Sequence, residues 1–161
     1  MSRVQLALNV NDVDTAVAFY SKLFGAEPAK RRAGYANFAL TEPALKLVLL
    51  ENPGHGDTLN HLGVELETTE AVDTALARAA EQGFFTAEER NSTCCYATQD
   101  KFWVTAPDGE RWEHYVVLAD SATFHGKPED AGEACCDDPE PTADQAQPTV
   151  PVTGRTAAGC C

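Results

Sequence analysis

From residue 3 to residue 10 apolar and polar positions alternate, with Val4, Leu6, Leu8 and Val10 on one side and Gln5, Ala7 and Asn9 on the other. That period predicts a strand buried on its even face. Asn11 or Asp12 then offers a helix cap. Val13, Val17, Phe19 or Tyr20, Leu23 and Phe24 form an apolar helical stripe that Gly25 closes. Three short strands are expected next, near Glu27–Lys30, Tyr35–Leu40 and Leu45–Leu50, divided by Ala33-Gly34 and Glu42-Pro43. The run Asn52-Pro53-Gly54-His55-Gly56-Asp57 reads as a loop.

After that loop the pattern restarts. Leu62, Val64 and Leu66 repeat the buried alternation, and His61 stands where Gln5 stood. A second helix is expected from Thr69 to Gln82, with Val72, Ala75, Leu76 and Ala79 on its apolar face and Gly83 ending it. Strands near Phe85–Glu89, Lys101–Ala106 and Trp112–Leu118 follow, the last two joined across Pro107-Asp108-Gly109, a hairpin signal. The expected fold is therefore α+β. Two βαβββ modules, about residues 1–55 and 56–120, build a cup-shaped mixed sheet with helices on its convex face.

From Ser121 onward the character changes: five of the nine prolines, seven acids against two bases, one aromatic (Phe124), and no apolar period. Residues 121–161 are expected to be a disordered tail. The chain's formal charge of −13 disfavours contact with phosphate backbones, so nucleic acid is not an expected partner. No apolar run is long enough to span a bilayer, and Met1-Ser2-Arg3-Val4-Gln5 does not open a secretory leader, so a cytoplasmic location is expected.

All six cysteines occur as adjacent pairs, Cys94/Cys95, Cys135/Cys136 and Cys160/Cys161. Adjacent cysteines close a disulfide only with strain, and in the cytoplasm thiols stay reduced. Thiolates favour soft metals and metalloids. Cys94/Cys95 alone could also be two small buried hydrophobes; the tail pairs have no core to enter, which makes soft metal ions candidate partners.

Strand parity turns Gln5 and His61 away from the helices, and Glu113, Tyr115 and Val117 share one face of the last strand. If that face lines the concavity, Gln5, His61 and Glu113 converge. An amide oxygen, an imidazole and a carboxylate then make a three-ligand site with open positions, the logic of the facial triad. Individually, Gln5 fits a half-buried strand position and His61 a satisfied core position; the matching places in the repeat favour the joint site. The strand Leu45–Leu50 offers no fourth ligand. His55 (loop), His114 (opposite parity to Glu113) and His125 (tail) are not assigned to the metal. Glu65 shares the parity of His61 and fits a place behind the ligands or, more readily, a solvated strand end; Tyr96, Tyr115, Lys101 and Trp103 are candidate pocket walls, with core packing the safer reading for Trp103 and solvation an alternative for Lys101.

The paired modules with Gln5, His61 and Glu113 resemble the vicinal oxygen chelate superfamily of glyoxalases, bleomycin-binding proteins and extradiol dioxygenases. More narrowly, Phe19–Phe24, Gly34–Phe38, Leu45–Gly54, Asn60–Glu65 and Thr93-Cys94-Cys95-Tyr96 resemble the ArsI-type carbon-arsenic lyases and their cadmium-induced relatives. The resemblance implies a non-haem enzyme that uses Fe(II) and O2 to cleave the carbon-arsenic bond of trivalent organoarsenicals such as methylarsenite, releasing arsenite. It places the metal on Gln5, His61 and Glu113 and the substrate on Cys94 and Cys95. The competing expectation is a cadmium- or arsenite-binding resistance protein without turnover. A glyoxalase would have a fourth ligand in 45–50, and a ring-cleaving dioxygenase a histidine at position 5.

Overall fold

A computed structural model describes residues 1–125. Its elements are β1 (Arg3–Val10), α1 (Val13–Phe24), β2 (Lys30–Arg32), β3 (Tyr35–Leu40), β4 (Leu45–Glu51), β5 (Thr58–Glu65), α2 (Thr69–Glu81), β6 (Thr86–Cys94), β7 (Ala97–Thr105) and β8 (Arg111–Asp120). Cys135, Cys136, Cys160 and Cys161, and the expectations attached to them, lie outside the described residues.

The strands form one eight-stranded curled sheet in the order β2-β3-β4-β1-β5-β8-β7-β6. Within each module the opening strand lies parallel to the closing one, β1 with β4 and β5 with β8, and the modules join through the antiparallel pair β1–β5. Opening and closing strands therefore occupy the centre of the sheet, and each module's middle strands extend it outward. Asp12 caps α1 by accepting from the Thr15 N–H, and Gly25 ends it with φ +61, a backbone state that glycine enters without cost. Thr68 caps α2 through the Ala71 N–H.

Both helices cover the convex face. Val13 and Val17 of α1 pack on Ala36, Phe38, Leu47 and Leu49, with Leu6, Leu8 and Val10 against them. Val72 of α2 packs with Phe102 and Val116. The even face of β1 does meet the helix, yet Val4 is 52% exposed while Gln5 is 4% exposed on the other side. The curl explains this inversion: it encloses the concave face more completely than one helix covers the convex one.

The bounds of β2, β6 and β7 differ from expectation, β7 starting at Ala97 rather than Lys101. β2 begins at Lys30 rather than Glu27, and β6 runs on to Cys94 instead of ending at Glu89. As an edge strand pairing only with β7, β6 carries the polar run Glu88–Thr93 with one side in solvent. The long β6–β7 hairpin turns at Cys95-Tyr96, with Cys94 paired to Ala97. Residues 121–125 return to this turn, where Phe124 packs on Tyr35 and Tyr96. Among the described residues no helix is long and apolar enough to cross a membrane.

Gly63 sits in the ladder between Gln5 on β1 and Glu113 on β8. A Cβ there would lie 3.0 Å from the Glu113 carbonyl oxygen and 3.3 Å from Gln5 Cβ, so the missing side chain is what lets the neighbouring side chains turn inward. Gly63→Ala is expected to cost about 1–3 kcal/mol by overpacking. Urea denaturation measures it; an unchanged midpoint would show that the ladder yields freely.

Candidate active site

The concave face is a cavity of about 260 Å³ lined by Gln5, His61, Cys94, Cys95, Gln99 and Glu113 among others. Strand alternation and register put them there. Gln5 is followed by Ala7, which lies beside Val48; His61 is followed by Gly63, which lies beside Glu113. Since His61 occupies the place of Gln5, Val48 occupies the place of Glu113. The symmetric fourth position of the cup thus holds a side chain with no donor atom.

Gln5 Nε2 lies 2.9 Å from His61 Nε2 and donates to Glu113 Oε2 at 3.1 Å, and His61 Nε2 is 3.6 Å from that same oxygen. Two of these separations are close to 3 Å and the third is longer, at 3.6 Å. These three groups could hold a divalent ion. Among the described residues no three His, Cys, Asp or Glu side chains gather in this way. Amide orientation is assigned from hydrogen bonds, and turning the Gln5 amide over would bring Oε1 to His61 and Glu113. The partner on its far side permits both orientations: the Tyr115 hydroxyl donates to Gln5 Oε1 as drawn, and a hydroxyl can accept as well. Burial, with Glu113 nearby, pushes the Tyr115 pKa up and keeps that hydroxyl neutral.

The imidazole is oriented by a chain of side chains. Thr58 donates its hydroxyl hydrogen to the His55 carbonyl and accepts from Asn9 Nδ2; Asn9 Oδ1 accepts from Asn60 Nδ2; Asn60 Oδ1 faces His61 Nδ1 at 2.7 Å. A carbonyl only accepts, so the direction of the whole chain follows from it. His61 carries its proton on Nδ1 and turns the Nε2 lone pair into the cup, the tautomer a metal ligand requires.

Lys101 is 0% exposed, which rules out the solvated alternative for it. Its Nζ donates to Glu113 Oε1 at 3.1 Å and lies 3.6 Å from Glu89 Oε2. Burial by itself would raise the Glu113 pKa, but the ammonium of Lys101 outweighs it and holds the carboxyl well below its usual range. Glu113 thus stays ionised, with Oε1 engaged by Lys101 and Oε2 turned to Gln5 and His61. Trp103 is buried as expected and also forms cavity wall, its Nε1–H donating to Glu89 and its ring edge-on to His61. Glu65 is no solvated strand end: its oxygens pair with Arg3 at 3.1 Å and Lys46 at 3.2 Å beside the cavity. His55 and His125 lie outside the cup, and His114 stacks on Phe102 on the convex side.

At the mouth Cys94, 2% exposed, and Cys95 hold their Sγ atoms 3.2 Å apart, well beyond a disulfide bond. Gln99, the next cup-facing residue of β7 after Ala97, is 5% exposed with its Oε1 lacking any hydrogen-bond partner. An acceptor left open there can meet any donor in the cavity, a water molecule included. Sequence reasoning named Lys101 without its partners and missed Gln99, because starting β7 at Lys101 hid the alternation Ala97, Gln99, Lys101, Trp103; it also gave no role to Asn60 beside His61 on β5.

Two βαβββ modules around a cup with an amide, an imidazole and a carboxylate on its floor define a class of small-molecule site. Residues 3–114 match the Glyoxalase/Bleomycin resistance protein/Dioxygenase superfamily, and the chain belongs to that superfamily. It is 62% identical over 143 residues to the cadmium-induced protein CadI of Mycobacterium tuberculosis, covering 85% of this chain and 94% of that one. It is 56% identical over 137 residues to the trivalent organoarsenical cleaving enzyme of Thermomonospora curvata, covering 84% and 89% respectively. The fold is shared with the Mn(II)-bound glyoxalase from Novosphingobium aromaticivorans, with TM-score 0.53, 22% identity, and 81% of this chain and 44% of that one covered. An extradiol ring-cleaving dioxygenase from B. fuscum gives TM-score 0.55 at 23% identity, covering 78% and 34%.

Removing Lys101 leaves Glu113 as a buried charge. In the metal-free protein, Lys101→Met is expected to lose about 3–5 kcal/mol at pH 7. A carboxyl whose folded pKa is depressed stabilises the fold above its unfolded pKa of about 4.3 and loses that contribution as pH falls. In the variant burial dominates and the shift reverses, so the deficit should shrink as pH falls below about 5. Urea titrations at pH 7 and pH 4 check this; an equal deficit at both would deny the ion pair its role.

Proposed function

We propose that this protein cleaves the carbon-arsenic bond of trivalent organoarsenicals, methylarsenite and trivalent aromatic arsenicals among them, in a reaction that uses Fe(II) and O2 and releases arsenite. One observation carries the reading: two adjacent thiols with sulfurs 3.2 Å apart open onto the cavity whose floor holds Gln5, His61 and Glu113. Trivalent arsenic bonds to two thiolates, and once one bond has formed the second is intramolecular. The names of the relatives from Thermomonospora curvata and from Bacillus sp., the latter 36% identical over 165 residues, support the same substrate class.

In this reading Gln5, through its amide oxygen, His61 through Nε2 and Glu113 through Oε2 would hold the iron. Fe(II) supplies, when bound, the redox chemistry that activates dioxygen. Lys101 keeps Glu113 ionised and leaves one carboxylate oxygen for the metal. Val48, in the fourth symmetric position, leaves room beside it. Cys94 and Cys95 anchor the arsenic atom and so restrict where its organic group can lie; this is positioning rather than nucleophilic attack.

A second reading has its own support. The chain is also close to a protein named for cadmium induction, and a dithiol can retain cadmium or arsenite without turnover. The two readings separate on one assay, aerobic incubation of the iron-loaded protein with methylarsenite and speciation of the arsenic. Catalytic release of arsenite is expected; stoichiometric capture with methylarsenite intact would favour the binding protein. Glu113→Ala is expected to lose iron and activity while still binding the arsenical, whereas Cys94→Ser and Cys95→Ser should keep iron and each lose at least about tenfold in turnover. Iron retained by Glu113→Ala would refute the ligand set.

A further inference from the structure

In an extended strand neighbouring side chains point to opposite faces, so two consecutive cysteines would hold their sulfurs apart. Cys94 and Cys95 avoid this because Cys95, with φ +55, and Tyr96, with φ +62, form the two-residue turn between β6 and β7. Positive φ at both central residues is the type I′ pattern, usually built from asparagine, aspartate and glycine. Its consequence is chemical: Cys95 Sγ comes to 3.2 Å from Cys94 Sγ.

Neither Cys95 nor Tyr96 adopts that backbone readily. The surroundings must impose it, and they do so from two directions. Lys30 Nζ and the Ser121 N–H both donate to the Tyr96 carbonyl oxygen at 2.9 Å, and the Cys95 N–H donates to the Phe124 carbonyl at 2.7 Å. The ring of Phe124 stands edge-on to Tyr96 with centroids 5.4 Å apart and to Tyr35 at 6.1 Å, and Tyr35 meets Tyr96 at 5.4 Å. Tyr35 and Phe124 thus brace Tyr96 while three hydrogen bonds hold the turn's own backbone.

We propose that Phe124 and Lys30 are positioning residues for the dithiol: the returning segment 121–125 and the Lys30 ammonium hold Cys95-Tyr96 in its left-handed turn so that Cys94 and Cys95 chelate one arsenic atom. The inference rests on the functional reading above. The step it serves is a condensation without redox change. Two As–S bonds form as two As–OH bonds break, and each hydroxyl leaves as water with a thiol proton. A relaxed turn still offers two reactive thiols, but they no longer share one target.

The test uses full-length, metal-free protein in which Cys135, Cys136, Cys160 and Cys161 are serine. Phenylarsine oxide binding reports chelation, and the rate of iodoacetamide alkylation at Cys95 reports reactivity of the single thiol. The parent is expected to bind one phenylarsine oxide across Cys94 and Cys95. Phe124→Ala and Lys30→Met, made separately so that one can stand if the other misfolds, should each weaken binding by roughly five- to hundredfold with no fall in alkylation rate. Adding Tyr96→Gly to either, which supplies a residue at ease with positive φ, should recover part of the loss. Variants that chelate as tightly as the parent, or a Tyr96→Gly addition that recovers nothing, overturn this inference alone. A parent that binds no arsenical on Cys94 and Cys95 overturns the functional reading on which it rests.

Discussion

A polar side chain taken out of water must find its partners inside the protein, and the concave face of this sheet is organised by that demand. Glu113 is buried as a carboxylate because Lys101, buried beside it, keeps it charged. Gln5 then bridges Glu113 and His61 on one side and Tyr115 on the other, and His61 is oriented from behind by Asn60. The network can exist only because β1, β5 and β8 are adjacent at the centre of the sheet and Gly63 lies between the two strands that carry Gln5 and Glu113. Fold and site are linked at that point: the repeat brings the strands together, and the polar groups fill the hollow that the curl creates.

Much of this was legible before any coordinates. Period-two runs at 3–10 and 60–66, the capped stripe at 13–24 and the turn at 107–109 locate the modules, and parity puts Gln5, His61 and Glu113 on one face. Partnership was less legible. A lysine at a strand position looks the same in sequence whether it is solvated or, like Lys101, locked between carboxylates, because the choice depends on side chains from β6 and β8. The second half of β6, beyond Glu89, hid for a related reason, since an edge strand can carry polar residues on both faces. The Cys95-Tyr96 turn lacks the glycine or asparagine that usually announces a hairpin, and its support comes from residues some 30 and 65 positions away in the chain, where local pattern reading has no purchase.

The two halves of the site make different demands on the backbone. The floor is built on central strands, where pairing on both sides holds each donor in place. The thiol pair sits on a hairpin tip at the sheet edge, next to the mouth through which a ligand must enter. Backbone contacts from 121–125 supply the order there that a sheet interior would otherwise give. The Gln99 acceptor lies on β7 between the two, facing the same space.

The central claim is that one cup holds arsenic on Cys94 and Cys95 and a metal ion on Gln5, His61 and Glu113 at the same time. Anomalous diffraction from crystals loaded with a divalent metal and phenylarsine oxide, collected at the arsenic and metal edges, tests it directly. The account predicts one arsenic peak bonded to both sulfurs with its phenyl group inside the cup, and one metal peak among the three floor residues. Arsenic seated outside the cup, or a metal ion away from Gln5, His61 and Glu113, would contradict it.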